Sequence, residues 1–250
     1  MPYGIYVSAE GAFVQSQRLE TIANNLANVT TAGFKRDLTL FQARFAEAIE
    51  QGMQPAGSRT IADVGGGVAV LANKTDFSQG PLQETGLPTD LAIEGRGFFV
   101  VKRDGQDFLT RAGNFALTGE GMLTTQDGFP VLSDQGDPIV IDPNLGPWTV
   151  TRDGIIAQGD TQTVIQLVEP ASLGDLAKAG QTLFKPLAPV TAIEPEARRV
   201  AKGFVEQSGV NPTLEMMEMI ETSRVFEANV NMMKHRDQIL GALVTRVLKV

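Results

Sequence analysis

One histidine and no cysteine bound the chemistry this chain can do. A Cys-His pair and a multi-histidine metal site both need residues it lacks. The histidine, His235, stands between Lys234 and Arg236, where a solvated surface residue is expected. Asp104, Asp127 and Asp153 each precede a glycine, and turn chemistry accounts for them. Gly65-Gly66-Gly67 runs into Val-Ala-Val rather than Lys and Ser/Thr, so it is no phosphate loop. "EGRGFF" lacks the spacing of a dinucleotide turn. Asn28-Val29-Thr30 and Asn73-Lys74-Thr75 match a glycosylation sequon, a pattern too short to carry weight. No catalytic, cofactor-binding or metal-ligating set is therefore expected, and no enzyme. The stretch that stands out is "ANNLANVTTAGFKR", residues 23–36. It places Asn24, Asn25 and Asn28 where a helix should be ending, ahead of Gly33.

The elements around that stretch follow from periodicity. Asn211 followed by Pro212 is an N-cap with proline at the first helical position. From Met216 a 3-4 spacing runs through Met219, Ser223, Phe226, Val230, Met233, Asp237, Leu240, Val244 and Val247, a coiled-coil-like seam. Glu218, Glu221, Arg224, Lys234 and Arg236 are expected on the opposite face. An N-terminal helix is expected with a weaker seam of Ile5, Ala9, Ala12, Ser16, Leu19, Ala23 and Leu26. Gly4 and Gly11 cost it about 1 kcal/mol each relative to alanine, so it needs partners to form fully. Met216, Met217, Met219, Met232 and Met233 suit an adaptable apolar face.

Between the helices, Asp104-Gly105, Asp127-Gly128 and Asp153-Gly154 punctuate strand-like runs such as "GFFVVKR" and "PWTVTRDGIIAQ". An antiparallel β domain is expected there, without an internal repeat. Residues 51–67 are rich in Gly, Pro and Ser and suit a linker or extended arm. The fold class is α+β, with three expected divisions. Residues 1–36 and 204–250 form a discontinuous helical domain whose helices pair, 37–75 an arm, and 76–203 a β-rich outer domain.

Charge sharpens this division. The formal net charge is −8 over 250 residues, which argues against a nucleic-acid partner. Residues 1–36 hold three bases and two acids, and residues 212–250 hold five of each, so the middle carries −9. The near-neutral ends can crowd against copies of themselves. The first residues, "MPYGIYVSAEGAF", lack a basic n-region, and no run approaches the ~18–20 apolar residues that span a bilayer.

These residues resemble a known family. "TIANNLANVTTAGFKR" (21–36) is similar to the N-terminal signature of bacterial flagellar rod, hook and related axial proteins. "DLAIEGRGFFVV" (90–101) with "LTRAGNFAL" (109–117) resembles their β-domain segment. "VEQSGVNPTLEMMEMIETSRVFEANVNMM" (205–233) resembles their C-terminal helix. Length suits the rod members, and "YGIYVSAEGA" (3–12) looks more like the proximal than the distal one. The resemblance implies a structural subunit whose terminal helices stack into a hollow tube that carries torque from motor to hook. It implies copies of itself and other axial proteins as partners, with export by the flagellar type III apparatus without a cleaved signal peptide. No cofactor, nucleic acid or small-molecule substrate is implied. Asn24, Asn25 and Asn28 would then pair with a neighbour's backbone, while Leu26 keeps the seam, Gly33 reverses the chain and Phe34 anchors the arm beyond it. Met216, Met219, Phe226, Val230, Met233 and Leu240 would line the subunit contact. The competing reading, a soluble β-domain enzyme or binding module, would need a clustered polar constellation.

Overall fold

The computed structural model describes residues 3–45, 49, 51–53, 65–142 and 145–247. Most of the expected 51–67 linker lies outside the described residues. The chain is α+β and divides into two units. One takes Met1–Ala27, Asp37–Asp76 and Asn211–Val250; the other takes Asn28–Arg36 and Phe77–Val210. This differs from the sequence-based division at three places. Residues 28–36 and 204–210 fold with the β unit, and the stretch expected as an arm belongs with the helices.

The helical unit contains α1 (Tyr3–Ala27), β1 (Asp37–Ala43), β2 (Val68–Thr75) and α2 (Pro212–Val247). The Asn211 side chain caps α2, accepting from the Thr213 and Leu214 amides at 3.1 and 3.4 Å. β1 and β2 pair antiparallel from Asp37↔Thr75 to Ala43↔Val68, with an irregularity at Leu40/Phe41. The "arm" is thus a strand pair where it is described, built from the apolar-rich runs "DLTLFQA" and "VAVLANKT".

α1 lies antiparallel along α2. Moving up α1, Gly4 meets Arg236, Gly11 meets Asn229, Arg18 meets Glu218 and Asn25 meets Glu215. The α1 members recur every seven residues, the repeat that keeps one face toward a partner. α1 also packs on the strand pair: Glu10 pairs with Arg44 at 3.3 Å, and Thr39 donates to Thr21 at 2.9 Å. With neighbours on two sides, α1 buries Ala12, Val14, Ile22 and Asn25, while Ala23 of the expected seam is exposed. On α2 the most buried residues are Glu215 and Thr222. Met219, Ser223, Phe226, Val230 and Met233 are half-buried, whereas Met216, Leu240 and Val244 are exposed. Glu218 and Arg236, expected on the solvent face, lie toward α1 and are half-buried. The contact stripe is rotated away from the apolar seam because glycine on α1 lets polar side chains of α2 lie close.

The β unit is mainly antiparallel. Its strands are β3 (Leu82–Glu84), β4 (Leu91–Ile93), β5 (Phe98–Arg103), β6 (Gln106–Thr110), β7 (Ala116–Leu117), β8 (Leu123–Thr124), β9 (Thr149–Val150) and β10 (Ile155–Gln158). They continue with β11 (Thr161–Val164), β12 (Leu167–Pro170), β13 (Leu176–Lys178), β14 (Leu183–Pro186), β15 (Val190–Ala192), β16 (Val200–Lys202) and β17 (Phe204–Glu206). The largest sheet has the order β13-β14-β6-β5-β12-β15. β5 and β6 meet at Asp104-Gly105, both with positive φ, as a two-residue hairpin requires. "FFVV" in β5 does not alternate with polar residues because both faces are covered. Phe99 and Val101 enter one apolar cluster, Phe98 and Val100 another.

A repeat is present where the sequence pattern suggested none. Thr118, Thr125, Ser133 and Thr151 each open a turn closed by glycine three residues later. The backbone of each opening residue pairs with the residue four positions on. Three of these turns are separated by steps that leave Leu123, Val131 and Ile139 eight residues apart. Leu123 N donates to Ile139 O, Val131 N to Leu123 O, and Ile139 N to Val131 O, at 2.9, 2.9 and 3.0 Å. The three bonds close a ring, and all three side chains are fully buried.

Leu123→Ala should therefore destabilise the β unit by about 2–5 kcal/mol, since the ring leaves little room to collapse. Leu117→Ala, on an exposed side chain six residues earlier, should stay within about 0.5 kcal/mol. Urea unfolding followed through Trp148, the only tryptophan, measures both.

Candidate assembly interface

Residues 23–36 divide at the end of α1. Asn24 lies on the exposed side of the helix, Leu26 is half-buried, and Asn25 is buried. The Asn25 amide is engaged within its own chain. Its Nδ2 donates to Asp37 O at 2.9 Å, and its Oδ1 accepts from Asp37 N at 3.0 Å. The side chain thus mimics one rung of a β-ladder at the start of β1. Nδ2 also reaches Glu215 Oε2 at 3.4 Å, and Asp37 Oδ1 accepts from Thr75 at 2.8 Å. One amide therefore ties the end of α1 to the first turn of α2 and to the strand pair. These partners lie within the chain, whereas the expected partner was a neighbour's backbone.

Past α1 the chain tightens within the β unit. Thr31 donates through its amide to Asn28 O and through its hydroxyl to Asn28 Oδ1, both at 3.2 Å. Gly33 has φ +69°, and a Cβ there would overlap the backbone of Arg111 and Ala112. Its amide donates to Glu206 O at 2.7 Å. Only glycine meets both demands. Phe34 is buried with the Lys178 ammonium 4.2 Å from its ring centroid, a cation–π contact, and its carbonyl accepts from Gly209 N at 3.1 Å. Phe34 thus sits in a pocket of the β unit.

Beside Phe34 lies a group to which the sequence pattern assigned no role. Lys35 is buried, and its ammonium donates to Glu206 Oε1 at 2.5 Å and to Ser78 O at 2.7 Å. Gly80 N donates to the same carboxylate oxygen at 3.0 Å. Glu206 Oε2 accepts from Arg111 Nη1 at 3.3 Å, and Arg111 Nη2 donates to Gly95 O at 2.7 Å. The Arg111 guanidinium lies 5.1 Å from the Phe98 ring centroid. Burial pushes the Arg111 pKa down, and the Glu206 carboxylate opposes this by charge and hydrogen bond. Arginine's intrinsic basicity keeps the group protonated. Lys35, Arg111 and Glu206 come from the three separate stretches "AGFKR", "LTRAGNF" and "VEQSGVNP". Nothing local marks them, except that Glu206 ends a strand in which it and Val205 are both buried.

The arrangement holds position rather than performing chemistry. Both carboxylate oxygens of Glu206 are taken, His235 is exposed, and the described residues contain no cluster of His, Cys, Asp and Glu that could hold a metal. No helix among the described residues is long and apolar enough to cross a membrane.

Comparisons with known proteins converge on one family. Residues 5–35 match the family model described as flagella basal body rod protein. Residues 92–158 match flagellar hook protein FlgE/F/G D1 domain, and 201–246 match flagellar basal body rod FlgEFG protein C-terminal. The chain is 37% identical to the flagellar basal-body rod protein FlgF of Caulobacter vibrioides, over 100% of both chains. It is 32% identical to the FlgG proteins of Buchnera aphidicola subsp. Schizaphis graminum and of Bacillus subtilis, in each case over 96% of this chain and 97% of the relative.

Glu206→Ala should cost about 3–5 kcal/mol in urea unfolding, because it leaves Lys35 and Arg111 buried without their counter-charge. Asn25→Ala strips partners from both backbone groups of Asp37, at about 1–3 kcal/mol. Hydrogen exchange at 37–43 should accelerate in that variant and stay unchanged in Asn73→Ala, an exposed amide.

Proposed function

The chain belongs to the family of flagellar basal-body rod proteins, and on that premise we propose that its helical unit is the part that assembles. It is a structural subunit of the rod, not an enzyme. In our reading α1 and α2 pair as a coiled-coil-like inner domain, copies stack helically into a hollow tube, and the β unit forms the outer layer. The rod so built carries torque from motor to hook. Its partners are copies of itself and other rod or hook axial proteins, and the subunits leave through the flagellar type III apparatus. Identity to a FlgF protein across complete lengths supports the proximal position within the rod.

The observation that carries this reading is the row of large apolar side chains that α2 leaves uncovered, among them Met217, Met232, Ile239 and Leu243. A solitary subunit gains nothing from it, whereas a polymer can seal it. Asn24, Met216 and Leu240 have the exposure that a subunit contact needs. Met219, Phe226, Val230 and Met233 are half-buried and would complete the contact from its edge. Asn25, Asn28, Gly33 and Phe34 would serve it indirectly, by holding the end of α1 and the residues just past it.

Phe226→Asp tests the reading in cells lacking their own copy of the gene. A carboxylate sealed there costs several kcal/mol per subunit. The variant should be secreted at the normal level but lost from rods, and the cells should not swim. Normal rods and motility would remove Phe226 from the assembly contact.

A further inference from the structure

α2 carries two kinds of polarity, one across it and one along it. Across it, α1 covers one side, and a separate apolar row stays open. Leu214, Met217, Val225, Met232, Ile239 and Leu243 are 42 to 63% exposed. Their steps of 3, 8, 7, 7 and 4 residues keep them on one side of a 3.6-residue helix. The row runs for about 44 Å at 1.5 Å per residue.

Along the helix, charge is segregated. Residues 212–229 carry Glu215, Glu218, Glu221 and Glu227 against Arg224, a net of −3. Residues 230–247 carry Lys234, Arg236 and Arg246 against Asp237, a net of +2. Glu221, Glu227, Lys234 and Arg246 are exposed. An apolar face built on such a helix meets like charge if a second copy lies parallel and level with it. It meets opposite charge if the copy is displaced by half the helix length.

We propose that the open row is covered by α2 of a second copy, laid parallel and offset by about five turns, acidic half against basic half. The inference rests on the reading of the chain as a rod subunit. An offset of about 18 residues is a whole number of turns, roughly 27 Å, and returns each row position to the same face. Leu214 then stands level with Met232, Met217 with His235, and Val225 with Leu243. The contact is heterologous: each copy offers an acidic half to one neighbour and a basic half to the next, so addition continues along the axis. An antiparallel pair would also join opposite charges, but it closes after two copies and ends growth.

The chain has no cysteine, so single cysteines introduced into the full chain report the pairing directly. Val225→Cys and Leu243→Cys chains, mixed at high concentration and low salt and then oxidised, should give a mixed disulfide. Its yield should exceed about tenfold that of Val225→Cys mixed with His235→Cys, the combination that antiparallel pairing would bring level. Glu221→Lys and Arg246→Glu, each an exposed charge on the side of the row, should each weaken self-association about tenfold by sedimentation at low salt, because each reduces the charge of one half. A dominant 225–235 disulfide, equal yields for the two mixtures, or charge variants that associate as strongly as the unaltered chain would overturn the offset contact. Those failures would leave the rod reading intact. That reading fails separately if the unaltered chain is not incorporated into rods in cells lacking their own copy.

Discussion

A buried carboxylate holds residues 28–36, just past α1, within the β unit. Glu206 at the end of β17 receives Lys35 and Gly80 on one oxygen and Arg111 on the other. Two cations against one anion leave the group with a formal excess of positive charge. Lys35 Nζ also donates to the Ser78 carbonyl and Arg111 Nη2 to the Gly95 carbonyl, and the Phe98 ring lies beside Arg111. An ion pair so deep adds little net stability over an apolar filling, but removing one partner is costly. Its effect is therefore to specify. Lys35 can be buried only where Glu206 is, so residues 28–36 must fold with the β unit although they come directly after a helix of the other unit. Gly33 passes against the backbone at Arg111 and Ala112 for the same reason.

The helical unit follows the opposite economy. Its two helices meet through Gly4, Gly11, Asn229 and Arg236, with Thr222 and Glu215 among the most buried residues of α2. Such a contact gains little hydrophobic free energy, because apolar area removed from water is what supplies it. Many large apolar residues of α2, Met217, Met232, Ile239 and Leu243 among them, stay outside, while Met219, Phe226, Val230 and Met233 are half-buried. On the proposed reading, the free energy of that surface is available for association. For a subunit that must act in a polymer, a helical unit weakly packed by itself and strongly completed by neighbours ties its final order to assembly.

Division of labour between the units is consistent with a mechanical role. The β unit closes on itself, with both faces of β5 covered and the ring of Leu123, Val131 and Ile139 sealed by three backbone bonds. Dense packing of this kind has low compressibility, which suits a part under load. The helical unit contributes length and an exposed apolar row instead. Neither holds, among its described residues, a cluster of His, Cys, Asp and Glu that could hold a metal.

Local patterns settled much of this in advance. Asn211-Pro212 marked the start of α2, Asp104-Gly105 marked the β5–β6 hairpin, and the three signature stretches marked the family, since capping, turn chemistry and motif matching depend on residues close together in the chain. The face by which α2 meets α1 was not legible, because a helix with two apolar stripes does not say which one its own chain will cover. Nor was the internal use of Asn25, whose partners Asp37 and Glu215 lie 12 and 190 residues away. The strand pair of residues 37–43 and 68–75 was hidden by the Gly- and Pro-rich stretch between its halves. Least legible was Lys35 with Arg111 and Glu206, each an ordinary charged residue in its own stretch. Whether a charge is solvated or buried depends on what the fold brings within about 3 Å of it, and only tertiary structure decides that.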